Sequence, residues 1–174
     1  PLAEQERIVK LLDEADELRK LRTQADRRTA AFIPALFHEM FGDPATNPFK
    51  WPRWRLGDLC DLVNGAPFKP IDWDGSGIPI IRIQNLNDPT KSFNYTSRKM
   101  PEKFRVRGGD ILLSWSGTPG TSFGCFRWKG PEGLLNQHIF NVRLRGEIDG
   151  EFFIHSVNAR LSELIARAHG GVGL

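Results

Sequence analysis

Two cysteines, Cys60 and Cys125, are all that the 174-residue chain contains. They are too few for a disulfide framework and too far apart for a CxxC metal or redox pair, so both are expected as reduced thiols in or near a core. No apolar run approaches the roughly 20 residues that a bilayer-crossing helix needs, and no basic-then-apolar stretch marks a leader. A soluble, cytoplasmic protein without a membrane partner is the expectation. Tyrosine occurs once and methionine twice, but 12 Phe, 5 Trp and 40% hydrophobic residues supply enough apolar material for a core and exclude wholesale disorder. The length suits one ordinary domain with an appendage, or two small domains, and is too short for a large multidomain enzyme. The chain opens on Pro1 rather than Met, which is expected of a fragment or a processed product.

Catalytic motifs are also scarce. Gly75-Ser76-Gly77 and Gly117-Thr118-Pro119-Gly120 are glycine-rich, yet neither fits a phosphate-binding or dinucleotide loop leading into a helix, and both read as turns. Asn47-Pro48-Phe49-Lys50 lacks the second proline of an amino-methyltransferase loop and has no glycine-rich cofactor motif upstream. Asp72 and Asp74 flank Trp73 and read as turn carboxylates rather than metal ligands. His38, His138, His155 and His169 show no zinc spacing. The expectation is a chain with no catalytic site, no metal and no cofactor of its own.

Charge divides what is present. Residues 1–43 carry 7 basic and 9 acidic side chains, a net −2; residues 44–174 carry 17 and 12, a net +5. The basic excess allows nucleic-acid binding without demonstrating it.

Ile8, Leu11, Ala15, Leu18, Arg22, Ala25, Thr29, Phe32 and Leu36 alternate spacings of three and four, the repeat that lines one seam of a coiled helix. Good helix formers surround them, so one long helix or two collinear ones are predicted from Ala3 to about Phe41, with Pro34 kinking or restarting the helix. At about 1.5 Å per residue it reaches on the order of 50 Å, too long for one small domain to bury. Ile8, Leu11, Ala15, Leu18, Ala25, Phe32 and Leu36 are therefore expected to pack on a second helix. Arg22 and Thr29, with the small Ala15 and Ala25, suit antiparallel packing against a different helix or another copy. Gly42, followed by Pro44 and Pro48, ends the helix and puts a domain boundary at 43/44.

From Trp51 the period changes. Ile78–Ile83, Asp110–Trp115 and Ile139–Leu144 read as strands, residues 56–62 as a short helix and residues 151–168 as a helix. Long aperiodic segments, 64–77, 85–106 and 116–135, read as functional loops. The expected fold class is α+β: a coiled-coil-type helix, then a mixed α/β domain with a bent sheet and long loops.

Those loops are rich in groups that touch nucleic acid. Asn and Gln pair bidentately with adenine edges, Arg with guanine, and hydroxyls and cations with phosphate. The candidate DNA contacts are Lys69, Arg82, Gln84, Asn85, Asn87, Lys103, Arg105, Ser114, Ser116, Thr118, Gln137 and His138. Taken singly, each is also an ordinary turn residue; their convergence beside a long helix favours DNA. A coiled-coil protein-interaction module without DNA binding is the alternative, and a methyltransferase or nuclease fragment the third.

Pro1-Leu2-Ala3-Glu4-Gln5-Glu6-Arg7-Ile8-Val9, Leu11-Leu12 and Leu36-Phe37-His38-Glu39-Met40-Phe41-Gly42 resemble the conserved helical region of type I restriction-modification specificity subunits. Trp54-Arg55-Leu56-Gly57-Asp58, Gly77-Ile78-Pro79-Ile80-Ile81-Arg82, Gly108-Gly109-Asp110-Ile111-Leu112-Leu113 and Leu135-Asn136-Gln137-His138-Ile139 resemble a target recognition domain of that family. The resemblance spans nearly the whole chain and implies a non-catalytic component that reads double-stranded DNA, one domain to each half of a split target. It also implies partners: methyltransferase (modification) subunits that use S-adenosylmethionine, a restriction subunit that uses ATP and Mg, and a second conserved helix from the missing half or another copy. The chain carries one helix and one recognition domain, about half of such a subunit.

Overall fold

The structure is a computed structural model, and it describes residues 1–88, 91–116 and 122–161, Asn87 by its backbone alone. The chain divides into two compact units, Pro1–Phe49 and Lys50–Leu174.

The first unit is α1 (Leu2–Phe41) and the turn after it. Rows of opposite charges three or four residues apart support it: Glu4–Arg7 at 2.7 Å, Asp16–Lys20 at 3.1 Å and Arg22–Asp26 at 3.1 Å. Such exposed pairs contribute only a few tenths of a kcal/mol each, roughly 0.3–0.5. The helix does not restart at Pro34: it continues through it. Proline removes one donor, and Ala30 and its neighbours are exposed, so water can take the freed carbonyl. Gly42 stops the helix with φ 76°, its N–H donating to His38 O at 2.8 Å. A side chain there would also strike Pro48, whose Cγ lies 2.5 Å from where Cβ would stand. The turn expected to mark the boundary thus folds onto the helix end and belongs to the first unit. No residue of α1 is buried, and Ile8, Leu11, Ala15, Leu18, Ala25, Phe32 and Leu36 are all exposed.

The second unit opens with α2 (Leu56–Leu59) and β1 (Cys60–Asn64). The short helix expected over 56–62 therefore stops early, because Cys60 to Asn64 pair antiparallel with β8 (Ile139–Leu144). The strand expected over Ile78–Ile83 also shortens. β2 covers Ile78–Ile81, and α3 (Ile83–Asn87) follows, with Asn85 Oδ1 accepting from Arg82 N at 3.1 Å. The segments read as long loops hold β3 (Asn94–Thr96), β4 (Arg105–Val106), β6 (Gly124–Arg127) and β7 (Gly133–Leu135). These are two to four residues long, too short to display a period. β5 (Ile111–Ser114) and β8 stand where expected. α4 covers Gly150–Ala159, and the remainder of the helix expected to reach 168 lies outside the described residues beyond Leu161.

The expected bent sheet is built as two four-stranded sheets, ordered β1-β8-β5-β6 and β3-β2-β7-β4. The first lies between α4 and the second sheet. Ile111, Leu113 and Val142 face Phe153, Ile154 and Val157 of α4, while Leu112 and Ile139 face Ile81, Val106 and Leu135 across the other interface. Both faces are covered, so β5 is apolar throughout and ends on a buried Ser114 instead of alternating. The edge strand β6 is closed by Asn158 of α4, whose carboxamide accepts from Cys125 N at 2.8 Å and donates to Cys125 O at 2.9 Å.

Candidate nucleic-acid interface

The register brings the carboxyl ends of four strands together. Asn64 at the end of β1 sits opposite Phe140, Ser114 at the end of β5 opposite Ile139, and Ile81 at the end of β2 beside Leu135 at the end of β7. Backbone hydrogen bonds tie the segments that follow. Gly65 N donates to Ile139 O at 3.0 Å, Ala66 N to Leu135 O at 2.8 Å, Asn136 N to Ile81 O at 3.0 Å and Trp115 N to His138 O at 3.4 Å. The chain crosses so closely that a Cβ on Gly65 would stand 2.5 Å from Leu135 O and from the carbonyl carbon of Asn136, and nearer still to Asn136 O. Segments 65–70, 82–87, 115–116 and 136–138 therefore share one end of the unit. None of them carries a carboxylate side chain.

Several predicted contacts meet there. Gln84 is exposed on α3, its Nε2 donating to Ser92 O at 3.4 Å. Gln137 and His138 are half-buried at the turn into β8, with Gln137 Nε2 3.4 Å from His138 Nε2. His138 Nδ1 is shielded from solvent without a partner among the described residues. Lys69 is exposed just before a single 3-10 turn, Pro70–Asp72, held by Lys69 N donating to Asp72 Oδ2 at 2.8 Å. Ser116 is half-buried, and its carbonyl accepts from Ser114 Oγ at 3.0 Å. Asn87 closes α3. Thr118 lies outside the described residues.

Others are spoken for. Asn85 is only 4% exposed; besides capping α3 it donates to Lys91 O at 3.2 Å. Its carboxamide braces α3 against Lys91 and is turned away from the surface. Ser114 is buried and used in the same way. Arg82 donates to Asn94 Oδ1 at 3.0 Å and lies 5.1 Å from the centre of the Trp73 ring, which holds its guanidinium against the protein. Arg105 pairs with Glu132 at 2.6 Å and Glu102 at 3.0 Å, so its charge on the β4 edge is largely answered by the protein. Lys103, in the 3-10 turn before β4, is exposed, its ammonium 4.9 Å from the Phe104 ring centre. It belongs to that edge and not to the strand ends.

One residue at the strand ends escaped the sequence reading. Trp115 is 43% exposed, its ring 5.4 Å from His138 and 6.3 Å from Phe140, centre to centre. The available signal was an aromatic following an apolar strand and entering a Ser/Gly-rich segment. The face therefore offers amide and imidazole edges beside an aromatic plate, the mixture that reads bases and covers sugars.

Several carboxylates elsewhere are engaged. Arg107 holds the Glu102 carboxyl below its ordinary range, Arg145 does the same for Asp61, and the hydroxyl and N–H of Ser97 do so for Asp74. Asp72, considered above as a possible ligand, pairs with Arg98 at 3.4 Å. Burial pushes the Cys125 thiol up to about 12 and also raises that of Cys60, so both stay protonated at neutral pH. No helix among the described residues is long and apolar enough to cross a membrane.

Comparison with known proteins bears on the fold and the family. The chain is similar in fold to the HsdS subunit from Thermoanaerobacter tengcongensis, with TM-score 0.55 and 20% identity over 91% of this chain and 40% of that one. A second solved chain, from work on complex assembly and conformational transition of the type I R-M system, gives TM-score 0.59 and 23% identity over 94% and 43%. The chain thus spans about two-fifths of the length of these solved proteins. No curated protein matches it. Residues 48–172 match the family described as type I restriction modification DNA specificity domain, and it is to this family that the chain belongs.

Proposed function

We propose that this chain is the DNA-reading half of a type I specificity subunit. Lys50–Leu174 binds one half of a split duplex target, and α1 pairs with a second helix to set the distance to the other reader. The convergence of four strand ends into a carboxylate-free face bearing Gln84, Trp115, Gln137 and His138 carries the reading. Amides on such a face discriminate bases by about 1–3 kcal/mol per good bidentate pair. Cations such as Lys69 contribute affinity that falls with salt. The chain performs no bond chemistry: methyl transfer from S-adenosylmethionine and ATP- and Mg-dependent cleavage fall to modification and restriction subunits.

The test is duplex binding by the chain assembled with its modification subunits, measured at several salt concentrations on a target found by methylation mapping and on scrambled DNA. Gln84→Ala and Gln137→Ala are expected to narrow the gap between target and scrambled DNA, whereas Lys69→Ala weakens both alike and lowers the salt slope by about 0.9. Binding indifferent to both sequence and salt would overturn the proposal. The second reading, a protein-interaction module, is favoured by the exposed Leu18 and Phe32 on α1. It would be supported if the assembly formed normally yet bound no duplex.

A further inference from the structure

We infer that Lys50–Arg55 is a second, sequence-independent DNA contact that grips the phosphodiester backbone away from the base-reading face; this rests on the DNA-reading function above. The segment runs Lys50-Trp51-Pro52-Arg53-Trp54-Arg55, three cations alternating with two indoles, and no carboxylate occurs between Asp43 and Asp58. All six residues are exposed, Trp54 to 70% and Trp51 to 52%. Indoles left that open forgo most of the burial that large aromatic side chains usually gain, and clustered exposed aromatics mark contact surfaces. Lys50 also holds a left-handed backbone, φ 57°, a conformation that non-glycine residues seldom adopt and that clusters at binding sites. Pro52 fixes φ beside it, so the ribbon is stiff before any partner arrives and loses little entropy on binding.

Its place in the fold separates it from the reading face. The ribbon leads into α2 and then the start of β1, where Cys60 pairs with Leu144; the strand ends meet at the other end of β1, where Asn64 pairs with Phe140. Four steps of about 3.3 Å from Cys60 to Asn64 put roughly 13 Å between those ends, over a third of a turn of duplex. Guanidinium and ammonium groups at that offset suit phosphates flanking the bases being read. The flat indole faces suit the deoxyriboses between those phosphates. A phosphate contact carries no sequence information, so the ribbon adds affinity and fixes orientation while the strand-end face discriminates.

The experiment uses the full chain assembled with its modification subunits and two 30-base-pair duplexes, one carrying the mapped target and one of scrambled sequence, followed by fluorescence anisotropy from 50 to 300 mM KCl. Lys50→Gln/Arg55→Gln is expected to weaken binding to both duplexes by the same factor and to lower the log–log salt slope by about 1.8, two phosphate contacts at about 0.9 each. Trp54→Ala is expected to weaken both equally while leaving the slope unchanged, because no charge is removed; Trp54→Phe retains most of the affinity. An unchanged slope in the double variant, with far-UV circular dichroism matching the wild type, overturns the inference while leaving the reading face intact. So does a loss confined to the target duplex. If Trp54→Ala instead prevents assembly with the modification subunits and spares DNA binding by the chain itself, the ribbon is a protein contact and the inference fails. A wild-type assembly that binds neither duplex sinks the proposed function along with it.

Discussion

Replacing Gly65 by alanine tests the junction on which the reading face is built. The glycine is needed for close approach and not for a special φ: the new Cβ would stand 2.5 Å from Leu135 O and the carbonyl carbon of Asn136, all main-chain atoms that cannot rotate aside. Relief requires the 64–66 segment to move away from 135–139, which stretches Gly65 N–Ile139 O and Ala66 N–Leu135 O, now 3.0 and 2.8 Å. Overfilling a closed site costs about 1–3 kcal/mol, and each backbone bond lost contributes about 1 kcal/mol more. The expected destabilisation is about 3–5 kcal/mol, a large share of the 5–15 kcal/mol typical of a domain. Urea unfolding followed by tryptophan fluorescence reports the second unit alone, since all five tryptophans lie between Trp51 and Trp128. At an m-value of about 2 kcal/mol/M the midpoint falls by roughly 2 M, with m unchanged. A loss below 1 kcal/mol would show that the strand ends are not locked together here, and the argument for a shared face would fail with it.

Asn158→Ala removes both hydrogen bonds to Cys125 and uncovers the β6 edge, and is expected to cost about 2 kcal/mol by the same urea assay. Neither cysteine should react with a thiol reagent at pH 8 in the folded chain, since burial raises both thiols; two equivalents of reaction without denaturant would refute this. Asp61, Asp74 and Glu102 have carboxyls held below their ordinary range. Their stabilisation is complete above the unfolded values of about 4 and is lost as pH falls through the lower folded ones. Thermal midpoints are therefore expected flat from pH 7 to 5 and falling below about 4; a midpoint that rises on acidification contradicts the assignment. Leu18→Asp is expected to abolish helix-mediated assembly, read by light scattering, while leaving tryptophan fluorescence unchanged. Intact assembly would show that the seam is not the contact.

Local pattern accounts for the elements that were legible. The α1 repeat runs for many turns, and α1 extends from Leu2 to Phe41 with Gly42 as its stop. β5 opens on a short apolar run and β8 mixes apolar with polar residues over six positions, and both stand where those patterns pointed. β3, β4, β6 and β7 are illegible because, at two to four residues, they show neither a period nor the β-branched and apolar run that marks β5. Each exists through a partner far along the chain, as Arg105–Val106 does against Leu134 and Gly133.

The sequence alone determined composition, the division between an acidic helical part and a basic α+β part, and which residue types were available for DNA. Tertiary structure decided which of them remain free. Asn85 and Gln84 are neighbours of similar chemistry and both donate to Ser92 O, yet the Asn85 carboxamide is buried and also held by Arg82 N and Lys91 O, whereas Gln84 stays exposed. Arg82 and Arg105 are cations by sequence and are occupied in the fold by Asn94 and Trp73, and by Glu102 and Glu132. Trp115 acquires its place against His138 because β5 ends beside the turn into β8. Helix and strand tendencies arise from spacing within a few residues, whereas the burial and partners of a polar side chain depend on segments that meet only when the sheets close.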